Sequence, residues 1–169
     1  HPNPEAEFFL FCDASTYGIG AMLTQRDSNG EYYPIEFGSQ TFNKTQTNWH
    51  ISEKEIYAVI HFVEKWRHHL LQRKFTVFTD HKNLQALFNR CKNFKAGKLF
   101  RWAVRLQDFE FLAQFIPGKE NIVADYLSRD AIDGNMAEKV SSPDIYLSYL
   151  EYYIGNVLED EYSDIYPNA

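Results

Sequence analysis

Four carboxylates in this chain sit where an apolar element ends or turns inward. Asp13 closes the run Phe8 to Cys12 in FFLFCDASTYGIG, and Asp80 closes the run Phe75 to Phe78 in FTVFTDHK. Each one alone also fits a turn cap, since Asp commonly bonds its own backbone two residues on. Glu55, in SEKEIYAVIHFVEKW, is in helical register with Val59, Val63 and Trp66 and so points toward the core. It equally completes an S-x-x-E capping box begun by Ser52. Asp125, in NIVADYLSR, lies among Val123, Ala124 and Leu127 near the start of a helical segment, where a carboxylate also complements the helix dipole. Gathered in one space, four such groups would repel unless cations neutralised them. Ligands that are all oxygen suit the hard cations Mg²⁺ or Mn²⁺ rather than zinc. Two such ions about 4 Å apart clamp a phosphodiester for in-line displacement, one activating the attacking water and the other stabilising the leaving oxygen.

The elements that must position these groups follow from the pattern. Phe8–Cys12 is a buried strand, AMLTQ continues a second, and Asn29-Gly30 is a hairpin signal leading into a third, YYPIEFGSQTF. These make an antiparallel meander. SEKEIYAVIHFVEKWRHHLL is a helix with Ser52 as N-cap, Glu53 solvated, and Ile56, Val59, Ile60, Val63, Trp66 and Leu70 on its inner stripe. KFTVFTDH is the fourth strand, KNLQALFNR a short helix, and AGKLFRWAVRLQDF a further helix with Leu99, Trp102, Ala103 and Leu106 on one face. EFLAQFI is the fifth strand, and PGKEN turns the chain into the last helix, IVADYLSR. The order predicts an α/β fold, a five-stranded mixed sheet flanked by helices. A strand–helix–strand crossover makes the fourth strand parallel to its neighbour. If that neighbour is the first strand, Asp13 and Asp80 stand side by side at C-terminal strand ends, with Glu55 and Asp125 on helices packed above them.

The bulk numbers set limits. The chain has 169 residues, enough for one domain with an appendage, and its 44% hydrophobic content is that of a globular protein rather than a disordered one. No apolar run approaches a membrane span, and the N-terminal residues do not form a signal peptide. Cys12 and Cys91 offer neither a disulfide framework nor metal spacing, which fits reduced, buried thiols in an intracellular protein. The net charge of −6 is unevenly spread: residues 1–130 hold 16 basic and 15 acidic side chains, residues 131–169 hold 1 and 8. That asymmetry marks a boundary near 130.

Several separate motifs together resemble one family. FCDASTYGIGAMLTQ, PIEFGSQTFNKTQTNWHISEKEIYAVIHFVEKWRHHLLQRKFTVFTDHKNL, RWAVRLQDFEF and PGKENIVADYLSR occur in the order found in the ribonuclease H domain of Gypsy-type LTR retrotransposon Pol polyproteins, and cover about residues 5 to 129. The resemblance implies the ribonuclease H-like fold and endonucleolytic, divalent-metal-dependent hydrolysis of the RNA strand in RNA–DNA hybrids during reverse transcription. It implies that Asp13, Glu55, Asp80 and Asp125 are the catalytic, metal-binding acids, with two Mg²⁺ ions for which Mn²⁺ substitutes. It implies as partners an RNA–DNA hybrid and the polymerase domain of the same polyprotein, with no membrane, in a cytoplasmic virus-like particle or the nucleus. Cellular relatives often carry a His in a loop before the last Asp; here QFIPGKENIVAD has none. A catalytically silent, connection-type module of the reverse transcriptase is the other class considered; it is marked by lost acids, and none is lost here.

The remaining signals concern the substrate and the tail. Arg90, Lys92, Lys95, Lys98, Arg101 and Arg105 form a basic stretch without an acid, suited to tracking phosphates. Ser15, Asn48 and Ser52 flank the acids, and discrimination of RNA would use its 2′-OH. The Gly-rich turn after Asp13 would let the hybrid backbone approach closely. His50, His61, His68, His69 and His81 have no Cys cluster to match and are expected at the surface; His81 could orient groups around Asp80. The domain is expected to span 5–130. Residues 131–169 make an acidic, Tyr-rich extension with a helix near 143–158, a spacer toward the next polyprotein segment.

Overall fold

The computed structural model describes residues 2–81 and 97–129. Strands β1 (Phe8–Ala14), β2 (Gly18–Arg26), β3 (Tyr32–Thr41), β4 (Lys74–Thr79) and β5 (Glu110–Phe115) form one sheet in the order β3-β2-β1-β4-β5. β1, β2 and β3 pair antiparallel, while β1–β4 and β4–β5 are parallel. The mixed sheet is the one the element order predicted, and the neighbour it left open for the fourth strand is β1. At the β2–β3 turn Gly30 takes a positive φ of 86°, as the Asn-Gly signal requires. β3 is an edge strand and tolerates Pro34, next to a register shift opposite Leu23 and Thr24.

Alternation along β1 divides the core. Phe8, Leu10, Cys12 and Ala14 face one side, where α1 (Ile51–Lys65) and α3 (Lys98–Arg105) pack. Phe9 and Phe11 face the other, beneath α4 (Ile122–Arg129). The inner stripe of α1 is as the periodicity implied, with Ile56, Val59, Ile60, Val63, Trp66 and Leu70 all buried. The helix is not continuous, however. Trp66 adopts φ −101° and ψ 25°, ending α1 and starting the short α2 (Arg67–Leu70). The break coincides with the indole of Trp66 donating to Glu36 on β3 at 2.7 Å.

The start of α1 also differs from expectation. His50, not Ser52, is the N-cap: its imidazole accepts from the Ser52 amide, and Glu53, not Glu55, reaches back to the His50 amide. The box is displaced by two residues because the helix begins at Ile51. Glu53 is therefore half-buried and engaged rather than solvated, and also pairs with Lys98 at 3.2 Å.

Gly18 closes the turn that begins at Ser15 and opens β2, while Gly20 lies inside the strand. The close approach at Gly20 is made by the chain's own last helix. A Cβ there would stand 2.4 Å from the Ala124 carbonyl oxygen and 2.4 Å from the Ser128 nitrogen. Ser15 and Ser39 each donate to a carbonyl in the last turn of α4, Ser128 at 2.6 Å and Leu127 at 2.8 Å, satisfying acceptors that a helix end leaves open. The helix expected in KNLQALFNR, Cys91, and the extension at 131–169 lie outside the described residues. Among the described residues no helix is long and apolar enough to cross a membrane.

Gly20→Ala is expected to lose stability toward the upper end of the roughly 1–3 kcal/mol typical of overpacking, because backbone rather than a flexible side chain blocks the new methyl. Denaturant titration checks this; an unchanged midpoint would show that α4 does not seat on Gly20.

Candidate metal and active site

The acids meet at the C-terminal end of the β1–β4 pair. Asp13, in β1, projects to the α4 face and is 5% exposed. Glu55, in the first turns of α1, comes from the opposite face and is also 5% exposed. Asp80 follows β4 and is exposed. One carboxylate oxygen from each of these three lies within 4.8 Å of the others. The two helices thus do not sit together above the strand ends; they flank the sheet, and the cluster forms around its rim.

Asp125 comes from the first turn of α4 but is not part of that trio. Its Oδ1 is held by Arg129 one turn on, at 2.7 Å from Nε and 2.6 Å from an outer guanidinium nitrogen. It is near enough for its charge to act on both Asp13 and Glu55.

Burial and mutual repulsion set the protonation of the site. Glu55 is pushed up to about 9, chiefly by burial and then by Asp13 and Asp80, against a hydrogen bond from the Ala14 amide. Asp13 is raised to about 6 by burial and by Asp125 and Asp80, although the Ser128 hydroxyl, 2.7 Å from its Oδ2, favours the charged form. The Cys12 thiol behind them is raised by its own burial and by Glu55 and Asp13. Glu55 Oε2 is buried without a hydrogen-bond partner. A buried carboxylate oxygen left open beside two more carboxylates is the donor set a hard cation takes. The residues present therefore fit divalent metal.

The elements around the acids hold them by backbone contacts. Asn121 donates to the Cys12 carbonyl at 2.8 Å, tying the start of α4 to the residue before Asp13. The turn at Pro117–Asn121 runs beside Asp80, where a Cβ on Gly118 would lie 3.4 Å from an Asp80 oxygen. Sequence reasoning missed Ser128, Asn121 and Arg129. Ser128 and Arg129 had a signal, since they stand three and four residues after Asp125 and so share its helix face. Asn121 had none.

The residues expected to contact nucleic acid are more dispersed. Ser15 is buried and its hydroxyl is engaged with Ser128 and the Tyr17 and Gly18 amides. Asn48 is exposed and donates to the Lys44 carbonyl, and Ser52 is half-buried. Lys98 lies 3.3 Å from the centroid of the Trp49 ring, besides its pairing with Glu53. Arg105 forks onto Glu64, and Arg101 is exposed. Arg90, Lys92 and Lys95 lie outside the described residues. Of the histidines, His81 keeps its Nδ1 buried without a hydrogen-bond partner, and its amide donates to Thr79 at 3.2 Å.

A five-stranded mixed sheet in the order 3-2-1-4-5 with helices on both faces is the ribonuclease H-like fold. The chain belongs to the RNase H-like domain found in reverse transcriptase, whose family model matches residues 3–109. It is 42% identical over 134 residues to the retrovirus-related Pol polyprotein from transposon 297 of Drosophila melanogaster, spanning 79% of this chain and 12% of that protein. It is 37% identical over 131 residues to the transposon Tf2-3 polyprotein of Schizosaccharomyces pombe, covering 76% of this chain and 10% of that protein. These relatives are transposon polyproteins, as the Gypsy-type resemblance implied, and the chain spans about a tenth of their length. Its fold matches LC11-RNase H1 in complex with an RNA/DNA hybrid, with TM-score 0.51, 16% identity, and coverage of 76% of this chain and 97% of that one.

The raised carboxyls give the metal-free protein a definite pH dependence. Between the unfolded and folded values the native state binds more protons than the unfolded one, so stability falls as pH rises. Asp13 acts between 3.8 and about 6, and Glu55 between 4.5 and about 9. In chelator, the thermal midpoint should fall as pH rises across this window, and Glu55→Gln should flatten the upper part. A midpoint that climbs from pH 6 to 9 would contradict the buried, like-charged environment.

Proposed function

We propose that this chain is an endoribonuclease that hydrolyses the RNA strand of RNA–DNA hybrids formed during reverse transcription of an LTR retroelement. The observation that carries the proposal is the convergence of Asp13, Glu55 and Asp80 within 4.8 Å, with Glu55 Oε2 buried and open toward them. Membership of the reverse-transcriptase RNase H-like family supports it.

On this reading Asp13, Glu55, Asp80 and Asp125 hold two Mg²⁺ ions, for which Mn²⁺ substitutes. When bound, the ions supply an activated water and stabilise the leaving oxygen of the phosphodiester. The protein's own part is positioning. The β1–β4 ladder runs to Phe11 and Phe78, two residues before each aspartate, and Ser128 directs one oxygen of Asp13. Arg129 holds Asp125 beside the trio through an exposed ion pair. Such pairs are worth only about 0–1 kcal/mol, so Asp125 can leave Arg129 for a stronger partner at little cost. The same holds for the ion pairs of Lys98 and Arg105, which can be exchanged for substrate phosphates. Lys98, Arg101 and Arg105 lie along the hybrid, Arg90, Lys92 and Lys95, which precede them in the sequence, add phosphate contacts, and Asn48, Ser52 and the Ser15 loop border the RNA strand. The domain works beside the polymerase domain of the same polyprotein, in a cytoplasmic virus-like particle or in the nucleus. Residues 5–130 are the nuclease unit, and 131–169 lead toward the next segment.

A labelled RNA–DNA hybrid incubated with the chain and Mg²⁺ should give cut RNA and intact DNA. Asp80→Asn should abolish cleavage while hybrid binding, followed by fluorescence anisotropy, survives. Full activity in that variant would overturn the site assignment. Hybrid bound but never cut by the unmodified chain would instead identify a catalytically silent module.

A further inference from the structure

A second cluster of ligating atoms lies on the other face of the sheet, away from the carboxylate rim. Its members are Glu36 of β3 and the adjacent His68 and His69 of α2. Register places Glu36 beside Leu23, which pairs with Leu10, whereas Asp13 pairs with Gly20 and Gly20 with Ser39. Three residues of β3 therefore separate the two levels, about 10 Å along the strand. Glu36 also faces the α1 side with Trp66, while Asp13 faces α4.

The geometry is that of an open three-ligand site. His69 Nε2 lies 2.9 Å and His68 Nε2 3.4 Å from the same oxygen, Glu36 Oε1. Ligands about 2.0–2.1 Å from a tetrahedral ion stand about 3.3–3.4 Å apart, close to both Glu36–imidazole separations, and the three ligand atoms all lie within 4.8 Å of one another. The other carboxylate oxygen is already committed, because the buried indole of Trp66 donates to Oε2 at 2.7 Å. That contact orients the free oxygen toward the imidazoles, as an outer-shell donor does for a metal-bound carboxylate. The His69 ring is seated 5.6 Å from Phe8, and the two histidine rings are 4.0 Å apart. His68 is 62% exposed, so an ion has a path in from solvent.

We propose that Glu36, His68 and His69 bind a transition-metal ion of the zinc class, with water in the fourth position. Two imidazoles and a carboxylate select this class over Mg²⁺, which prefers oxygen ligands alone. The ion would staple the edge strand β3 to the corner where α1 breaks into α2, joining elements that otherwise meet through Trp66 and its neighbours. The role is structural and does not depend on the nuclease reading.

Titration with Zn²⁺ in excess Mg²⁺, followed calorimetrically and by the thermal midpoint, tests the site. The chain should bind one Zn²⁺ that Mg²⁺ does not displace and should melt at a higher temperature with it. His68→Gln, at an exposed position, should weaken binding by at least about tenfold, the scale of losing even an outer-shell partner. Glu36→Gln, which leaves an oxygen for Trp66, should do the same. Asp80→Asn should leave this binding in place. The proposal is overturned if no Mg²⁺-resistant Zn²⁺ binds, if binding is indifferent to His68→Gln, or if Asp80→Asn alone removes it.

Discussion

Like charges held close together at the edge of an apolar sheet are the constraint under which this structure is built. Asp13 and Glu55 are almost wholly buried, and their oxygens approach each other and Asp80 within 4.8 Å. Removing a carboxylate from water costs several kcal/mol even after relaxation, and a neighbour of the same sign adds to the cost. Protonation of Glu55 relieves part of it in the metal-free protein, which is why its carboxyl is pushed to about 9. A cation would relieve it without consuming protons. The site is thus held in a state that favours an incoming positive ion.

That state persists because the scaffold is well stocked with apolar contact. Phe8, Leu10, Val59, Ile60, Phe62, Val63, Trp66, Phe75 and Val77 are nearly or wholly inaccessible to water on the α1 face alone. Each fully buried side chain of this size contributes about 1.5–3 kcal/mol, so two or three of them offset one strained carboxylate. Parallel pairing of β1 with β4, up to two residues before each aspartate, fixes the spacing of the strand ends through backbone hydrogen bonds rather than side chains. α4 is then drawn down by the absent side chain at Gly20 and anchored at both ends by Asn121, Ser15 and Ser39.

The helix that carries Glu55 shows how one segment serves several needs. Because His50 caps α1 and Glu53 completes the box, Glu55 is released from helix-end duty and its second oxygen stays open. Glu53 also steadies Lys98 against Trp49, bringing α3 onto the start of α1. At the far end, the break at Trp66 lets the indole reach β3 and sets the two histidines beside Glu36.

Much of this was legible in the amino-acid order. Apolar runs ending on Asp13 and Asp80 mark strands with acids at their ends, because a strand's burial is written in short contiguous stretches. The register of Glu55 with Val59, Val63 and Trp66 marks it as inward-facing, because helical periodicity depends only on local geometry. The crossover rule made the fourth strand parallel to its neighbour, and the assembled sheet decided that this neighbour is β1. Asp125 joined the other acids through its place among Val123, Ala124 and Leu127 at the start of the last helix, and the motif resemblance picked out the same four. What the order of residues could not decide depends on contacts between distant segments. Which of Ser52 and His50 caps α1 turns on a difference of two residues in where the helix starts. Why β2 needs Gly20 is visible only once α4 lies across it. That Ser15 faces a helix carbonyl rather than solvent, and that Glu36 meets His68 and His69, required the sheet and both helical layers to be assembled. Local pattern determines which groups point inward; only tertiary packing decides what they meet there.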